Sequence, residues 1–108
     1  MKTIMVRYRT KPEHADANVA LVRAVFEELR KLAPAGLCYA SYRLADGLSF
    51  VHVATHAEPN PLSQVPAFQA FQAKIKERIE EPPQVTELFA LGSYGLSPAP
   101  AGIGSAGD

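Results

Sequence analysis

The sequence predicts an α+β domain in which two helices cover one face of a four-stranded antiparallel sheet. Three observations predict this class. The chain begins with an alternating apolar and polar segment, continues with a long stretch of helical periodicity, and then contains two strand-like runs around Asp46-Gly47. A second helical stretch and a last alternating segment follow. The resulting order of elements is strand, helix, strand, strand, helix, strand.

The first strand and the first helix are predicted from a change of period. Residues 3–10 alternate apolar and polar side chains and include β-branched and aromatic types, a pattern typical of a strand. Pro12 suits the first turn of the following helix, because it lacks the N–H that such a turn leaves unbonded. Apolar side chains then recur every three or four positions over 19–33, and Pro34 ends the predicted helix.

The central hairpin is predicted from residues 37–44 and 48–55, which flank Asp46-Gly47. Asp-Gly between strands favours a two-residue type I′ turn, in which both residues adopt positive φ. That turn places Ser41 opposite His52 on one side of the sheet, and a four-residue loop would leave the same residues on each side.

The second half of the chain contains one more helix and one more strand. Pro66 begins the helix and Pro82 follows its end, after which residues 84–94 alternate as a strand. We assign residues 1–96 to a single domain. Residues 97–108 consist largely of Pro, Gly, Ala and Ser, which bury little apolar surface, and are therefore predicted to form a flexible tail.

Right-handed crossovers place both helices on the same face of the sheet. We expect that face to be the more uniformly apolar one, which selects Ile4, Val6, Tyr8, Cys38, Ala40, Tyr42, Leu44, Val51, Val53, Leu88 and Ala90. The opposite face then carries Met5, Arg7, Arg9, Tyr39, Ser41, Arg43, Phe50, His52, Val85, Glu87, Phe89 and Leu91. Exposed aromatic and aliphatic patches of this kind mark interfaces, so we predict a homodimer through this face, with Glu87 paired to Arg7 or Arg9.

Composition excludes several classes of protein. Eleven basic residues balance eleven acidic ones over 108 residues, so no net charge attracts nucleic acid or an anionic membrane. We find no apolar run long enough for a signal peptide or a bilayer span, and we expect a cytoplasmic protein. Cys38 is the single cysteine, which excludes a disulfide or a cysteine-rich zinc site within one chain. We expect neither a metal nor a cofactor.

The order of elements is that of the ferredoxin-like fold, and residues 3–94 resemble the dimeric α/β barrel superfamily. Within it, the chain is similar to the antibiotic-biosynthesis-monooxygenase-like group. The segments that carry the resemblance are 6–12, 29–32, 36–39, 46–53 and 68–71. The resemblance implies a pocket between sheet and helices, and a cofactor-independent oxygenation of a small aromatic or polyketide-like compound. Such chemistry needs an apolar cavity and a group that accepts or binds the phenolic proton.

Aromatic side chains on the predicted covered face and on the helix stripes can line such a pocket. The candidates for substrate binding are Tyr8, Tyr42, Phe26, Phe68 and Phe71. His52 and Tyr42 are the catalytic candidates, although His52 is predicted on the face that the partner buries. His14 and His56 are predicted to be exposed, and Cys38 to point into the core.

The chain departs from the relatives in two features. It has no tryptophan, whereas characterised oxygenases and haem-degrading relatives use one in the pocket. It also has no histidine between Pro61 and Glu81, where haem-degrading relatives carry an iron ligand. Two alternatives therefore stand beside the oxygenase: a non-catalytic homodimeric barrel that binds a small molecule or serves in interactions, and an isomerase that transfers a proton through His52.

Overall fold

A computed structural model describes residues 1–95 of the chain. The strands are β1 (Lys2–Arg9), β2 (Leu37–Arg43), β3 (Ser49–His56) and β4 (Gln84–Leu88). The helices are α1 (Ala15–Leu32), α2 (Pro66–Ala73) and α3 (Ile75–Arg78), with short 3₁₀ turns at Pro12–His14 and Pro61–Gln64. The strands form one antiparallel sheet in the order β2-β3-β1-β4, so the predicted α+β class and element order are confirmed. The predicted tail, 97–108, lies outside the described residues.

The second helix and the last strand are shorter than predicted. The helix breaks at Lys74, where φ is −126°, and the buried Arg78 side chain donates from Nη2 to the carbonyl of Phe71 at 2.6 Å. A side chain thus satisfies a carbonyl at the end of α2 that a continuous helix would bond internally. Strand β4 stops at Leu88, whose partner Thr3 lies one residue from the start of β1 at Lys2.

The hairpin has the predicted register but a different turn. Ser41 pairs with His52, and the N–H of Leu44 donates to the carbonyl of Ser49 at 2.9 Å, which closes a four-residue loop. Within this loop only Gly47 has a positive φ, 75°, so the predicted type I′ turn is wrong. The Asp46 carboxylate instead accepts from the backbone N–H groups of Leu48 and Ser49, both at 2.8 Å. Hydrogen bonds from Ser49, first from its hydroxyl and then from its backbone, lower the pKa of Asp46 to about 2.

The helices cover the predicted face of β1. On β2, β3 and β4 they cover the face that was predicted to be open. Strand β1 contributes Ile4, Val6 and Tyr8 to this covered face, as predicted. The other strands contribute Tyr39, Ser41, Phe50, His52, Ala54, Val85 and Glu87, which register places on the same side. The open face carries Met5, Cys38, Ala40, Tyr42, Val51, Val53 and Leu88, together with Arg7 and Thr55. The face assignment is therefore wrong for β2, β3 and β4, because polar residues were assumed to avoid the covered face.

The ion pairs of the charged side chains also differ from the predicted ones. Arg9 pairs with Glu80 at 3.4 Å, and Arg43 reaches Asp16 of α1 at 3.3 Å. Glu87 lies opposite Ile4 on the covered side, so the predicted pairing of Glu87 with Arg7 or Arg9 across a dimer is wrong.

Within residues 1–95, no helix combines the length and hydropathy that a bilayer crossing requires.

Candidate functional site

A cavity of about 520 Å³ lies between the covered face of the sheet and α2. Strands β1 and β3 form one wall, with side chains that include Tyr8, His52 and Ala54, and helix α2 contributes Phe68 and Phe71. None of the lining residues is a lysine, arginine, aspartate or glutamate. Its volume lies within the usual range of small-molecule sites, and its walls suit an uncharged ligand.

A chain of hydrogen bonds begins behind the cavity and ends at its wall. The buried Arg78 guanidinium donates from Nε to Oδ1 of Asn18 at 3.1 Å, and Asn18 donates from Nδ2 to the Tyr8 hydroxyl at 2.9 Å. Since arginine can only donate, this contact fixes the orientation of the Asn18 amide. The Tyr8 hydroxyl lies 2.7 Å from Nε2 of His52, and Nδ1 of His52 lies 2.5 Å from the Ser41 hydroxyl.

The protonation states of Tyr8 and His52 determine which group donates in each hydrogen bond. Burial raises the pKa of the Tyr8 hydroxyl, so Tyr8 keeps its proton. Burial lowers the pKa of His52 to about 4, so the imidazole is neutral at neutral pH. Tyr8 therefore donates to Nε2 of His52, and the His52 proton lies on Nδ1, from which it is donated to Ser41. Both nitrogens of His52 are thus engaged within the fold.

Aromatic rings lie nearly parallel beside this network. The His52 ring is stacked with Tyr8 at a centroid distance of 5.3 Å and with Tyr39 at 6.1 Å, with interplanar angles of 18° and 9°. Phe71 meets the His52 ring by its edge, at 5.5 Å and 65°. Burial also raises the pKa of the Tyr39 hydroxyl, which lies 3.3 Å from Nδ1 of His52. This part of the cavity lining is therefore a row of packed aromatic rings whose hydroxyl groups keep their protons.

His56 lies four residues further along β3, about 13 Å from His52 by the strand rise, and also lines the cavity. It is 5% exposed, so the prediction that it is exposed is wrong. Its Nδ1 lies 2.9 Å from the carbonyl of Ala57 and 3.9 Å from the Glu58 carboxylate. Asn60 and Ser63 line the cavity as well, so its lining includes polar groups besides the network around His52.

The predicted site residues are only partly brought together. Tyr8, Phe68 and Phe71 line the cavity, and His52 joins them because it faces the helices and not the open face. Tyr42 lies on the open face with 57% of its surface exposed, so its predicted place on the covered face is wrong. Phe26 stacks on Tyr39 at 5.2 Å and, with Tyr42, borders a separate cleft of about 240 Å³.

Two smaller predictions also change. Cys38 is exposed, because β2 presents its even-numbered residues on the open face, so its predicted place in the core is wrong. His14, predicted to be exposed, is half-buried. Residues 1–95 contain no group of three or more histidine, cysteine, aspartate or glutamate side chains placed to hold a metal ion.

Sequence reasoning missed Asn18 and Arg78. Asn18 precedes Val22 by four residues and Val25 by seven, so it occupies the apolar stripe of α1 and is fully buried. A polar residue in such a stripe was the available signal, since buried amides require partners. Arg78 gave no comparable signal, because its partners, Asn18 and Phe71, lie 60 and 7 residues away.

No family model and no curated protein sequence matches the chain. Solved structures do match its fold. A Mycobacterium tuberculosis protein, Rv0793, is 24% identical with a TM-score of 0.67, over 85% of this chain and 96% of that one. A structure described as an antibiotic biosynthesis monooxygenase is 20% identical with a TM-score of 0.69, over 85% of this chain and all of the other. Pseudomonas aeruginosa PA3566 is 20% identical with a TM-score of 0.68, over 84% and 94%. The fold predicted from the resemblance is thus confirmed.

Proposed function

We propose that this protein binds an uncharged aromatic compound in the cavity and oxygenates it with molecular oxygen, without a cofactor. The observation that carries the proposal is the combination of a lining without lysine, arginine, aspartate or glutamate with the aromatic rings of Tyr8, Tyr39, His52, Phe68 and Phe71 around one cavity. A carboxylate substrate would find no cation there to pair with its charge, which disfavours the isomerisation of small acids. The monooxygenase name of one structure with this fold supports the same chemistry.

In such a reaction the substrate supplies the electrons. An anthrone or a hydroquinone that loses a proton becomes electron-rich enough to reduce oxygen. The carbon–oxygen bond then forms, and the peroxide loses water to give a quinone, so one oxygen atom enters the product and one leaves as water. The chain itself would hold the ring against the aromatic wall, keep bulk water out and accept the proton. The buried bonds between Asn18, Tyr8 and His52 keep this wall in one arrangement.

Filling the cavity tests the proposal. Ala54 is 8% exposed and lines the cavity, so Ala54→Phe is expected to lower oxygen uptake with anthrone by about tenfold or more. The measurement is oxygen consumption with a panel of anthrones and hydroquinones. Ala20→Phe, on the exposed side of α1, is the matched control and should retain the wild-type rate.

The same panel separates the oxygenase from a non-catalytic barrel. Binding of anthraquinone, the uncharged product, is measured by its fluorescence or by calorimetry for the wild type and for both variants. Binding that Ala54→Phe abolishes, without oxygen uptake by the wild type, would replace the oxygenase with the small-molecule-binding alternative. Neither uptake nor binding by the wild type would contradict both functions.

We further propose that the chain forms a homodimer through the open face of the sheet. Met5, Val51 and Val53 lie there only half-buried, and Tyr42 is mostly exposed, so the single chain leaves an apolar patch in water, with Arg7 beside it on the same face. Two copies related by a twofold axis would cover this face mutually. The composition of this face differs from the predicted one, but it too exposes apolar side chains that a partner would cover.

Val53 lies at the centre of this face, paired with Met5 on one side and Ala40 on the other. Val53→Glu is expected to weaken dimerisation by about 100-fold or more, because each dimer would bury two carboxylates close to the axis. Light scattering across a dilution series measures the mass. The control, Ala24→Glu on the exposed side of α1, should keep the dimer. A wild-type chain that is monomeric at micromolar concentration would refute the interface.

A further inference from the structure

We infer that His56 is the group that accepts the substrate proton, an inference that rests on the proposed function. The contacts of Nδ1 fix which ring nitrogen carries the proton. That atom lies 2.9 Å from the carbonyl of Ala57, and a carbonyl can only accept. In the neutral imidazole the proton therefore lies on Nδ1, and Nε2 carries the lone pair that can take up a proton.

Nε2 of His56 is free to meet a ligand. Within residues 1–95 no hydrogen bond reaches Nε2 of His56. In that part of the chain, every side-chain nitrogen or oxygen that is fully shielded from solvent has a hydrogen-bond partner. Nε2 is therefore accessible, and because the residue is 5% exposed and lines the cavity, the accessible atom opens into the cavity. A ligand there can place an acidic O–H or C–H against it.

His52 is not suited to the same role. Its Nε2 accepts from Tyr8 and its Nδ1 donates to Ser41, so a substrate proton could reach it only after a buried hydrogen bond is broken. Burial without a neighbouring carboxylate also makes the His52 imidazole resist a positive charge. His56 differs in both respects, since the Glu58 carboxylate lies 3.9 Å from its Nδ1. A negative charge at that distance attracts the imidazolium that forms when the proton has moved.

The step conserves atoms and charge. The proton leaves C10 of anthrone, or the hydroxyl of a phenol, and binds to Nε2, while its bonding electron pair stays on the substrate as an enolate or phenolate. That anion then reduces oxygen, and the peroxide that forms recovers the proton from Nε2 before it loses water. The groups that can influence His56 are Glu58, Lys2 on the neighbouring β1, and His52 and Tyr39, which share the cavity.

Hydrogen exchange tests this step without oxygen. Anthrone is incubated with the protein anaerobically in deuterated buffer, and exchange at C10 is followed by NMR. The wild type is expected to accelerate exchange, and His56→Gln to reduce that acceleration by about 100-fold or more. Binding of anthraquinone should change less than about threefold, because glutamine keeps a polar side chain of similar length. His14→Gln is the matched control, since His14 does not line the cavity.

A milder variant protects the test against loss of folding. Glu58 is 71% exposed, so Glu58→Gln should fold normally and slow the exchange by about two- to fivefold, the size expected for an exposed charge pair. Exchange that is unchanged in His56→Gln overturns the inference and leaves the oxygenase untouched. Exchange that depends on His56, without oxygen uptake by the wild type, supports the inference and removes the oxygenase. A wild type that does not accelerate exchange overturns the inference.

Discussion

Replacement of Asn18 with leucine is expected to lower the free energy of unfolding by about 3 kcal/mol, which is large for a single substitution. The Asn18 side chain is fully buried and connects Nε of Arg78 with the hydroxyl of Tyr8. Leucine has a similar volume but offers neither an acceptor to the guanidinium nor a donor to the phenol. The buried positive charge of Arg78 would then keep the hydrogen bond of its Nη2 with the carbonyl of Phe71 and its position over the Phe71 ring, but it would lose the acceptor at Nε.

Asn18→Asp tests the loss of the contact with Tyr8 separately from the loss of the contact with Arg78. Aspartate preserves an acceptor for Arg78, removes the donor to Tyr8 and adds a buried negative charge that the guanidinium neutralises, so we expect a smaller loss, about 1 kcal/mol. Urea unfolding at neutral pH, followed by circular dichroism, measures all three proteins. A loss below about 1 kcal/mol for Asn18→Leu would mean that water replaces the amide, and it would contradict a dry hydrogen-bond chain.

Acidification is expected to destabilise the protein through His52. The pKa of this imidazole is about 4 in the fold and 6.5 as its ordinary value, because burial disfavours the charged form. Between these two values the unfolded chain therefore binds a proton at His52 and the folded chain does not. The resulting stability is fully present above pH 6.5 and is lost as the pH falls towards 4. Between about pH 7.5 and about pH 4.5 the free energy of unfolding should fall by roughly 2–3 kcal/mol from this group.

The control for this prediction is His52→Gln, which cannot titrate. Its unfolding free energy should be lower than that of the wild type at neutral pH and should depend less on pH over the same interval. Asp46, with a pKa lowered to about 2, loses its own contribution only between its ordinary value of 3.8 and about 2, so it acts below this window. Equal pH dependence of the wild type and His52→Gln would show that His52 is hydrated or charged in the fold.

Much of the candidate site was predictable residue by residue, but its assembly was not. Tyr8, Phe68 and Phe71 were identifiable because they occupy apolar positions in regular periodic patterns. His56 and Arg78 were not, because nothing in their immediate sequence shows that distant groups would bury and bond them. Asn18 lies between these cases, since its place in an apolar stripe signals burial while its partners, 10 and 60 residues away, remain hidden.

The sequence by itself determined the order of elements and the pairing of Ser41 with His52, because periodicity and loop length act between neighbours in the chain. Only the tertiary structure decided which face of β2 and β3 the helices cover. Alternation defines two faces, and hydrophobicity favoured the one without His52. The face with His52 can be covered because hydrogen bonds from distant residues satisfy its polar groups. Tyr8, which lies 44 positions from His52, accepts from Asn18 and lets a neutral His52 be buried without an unpaired nitrogen.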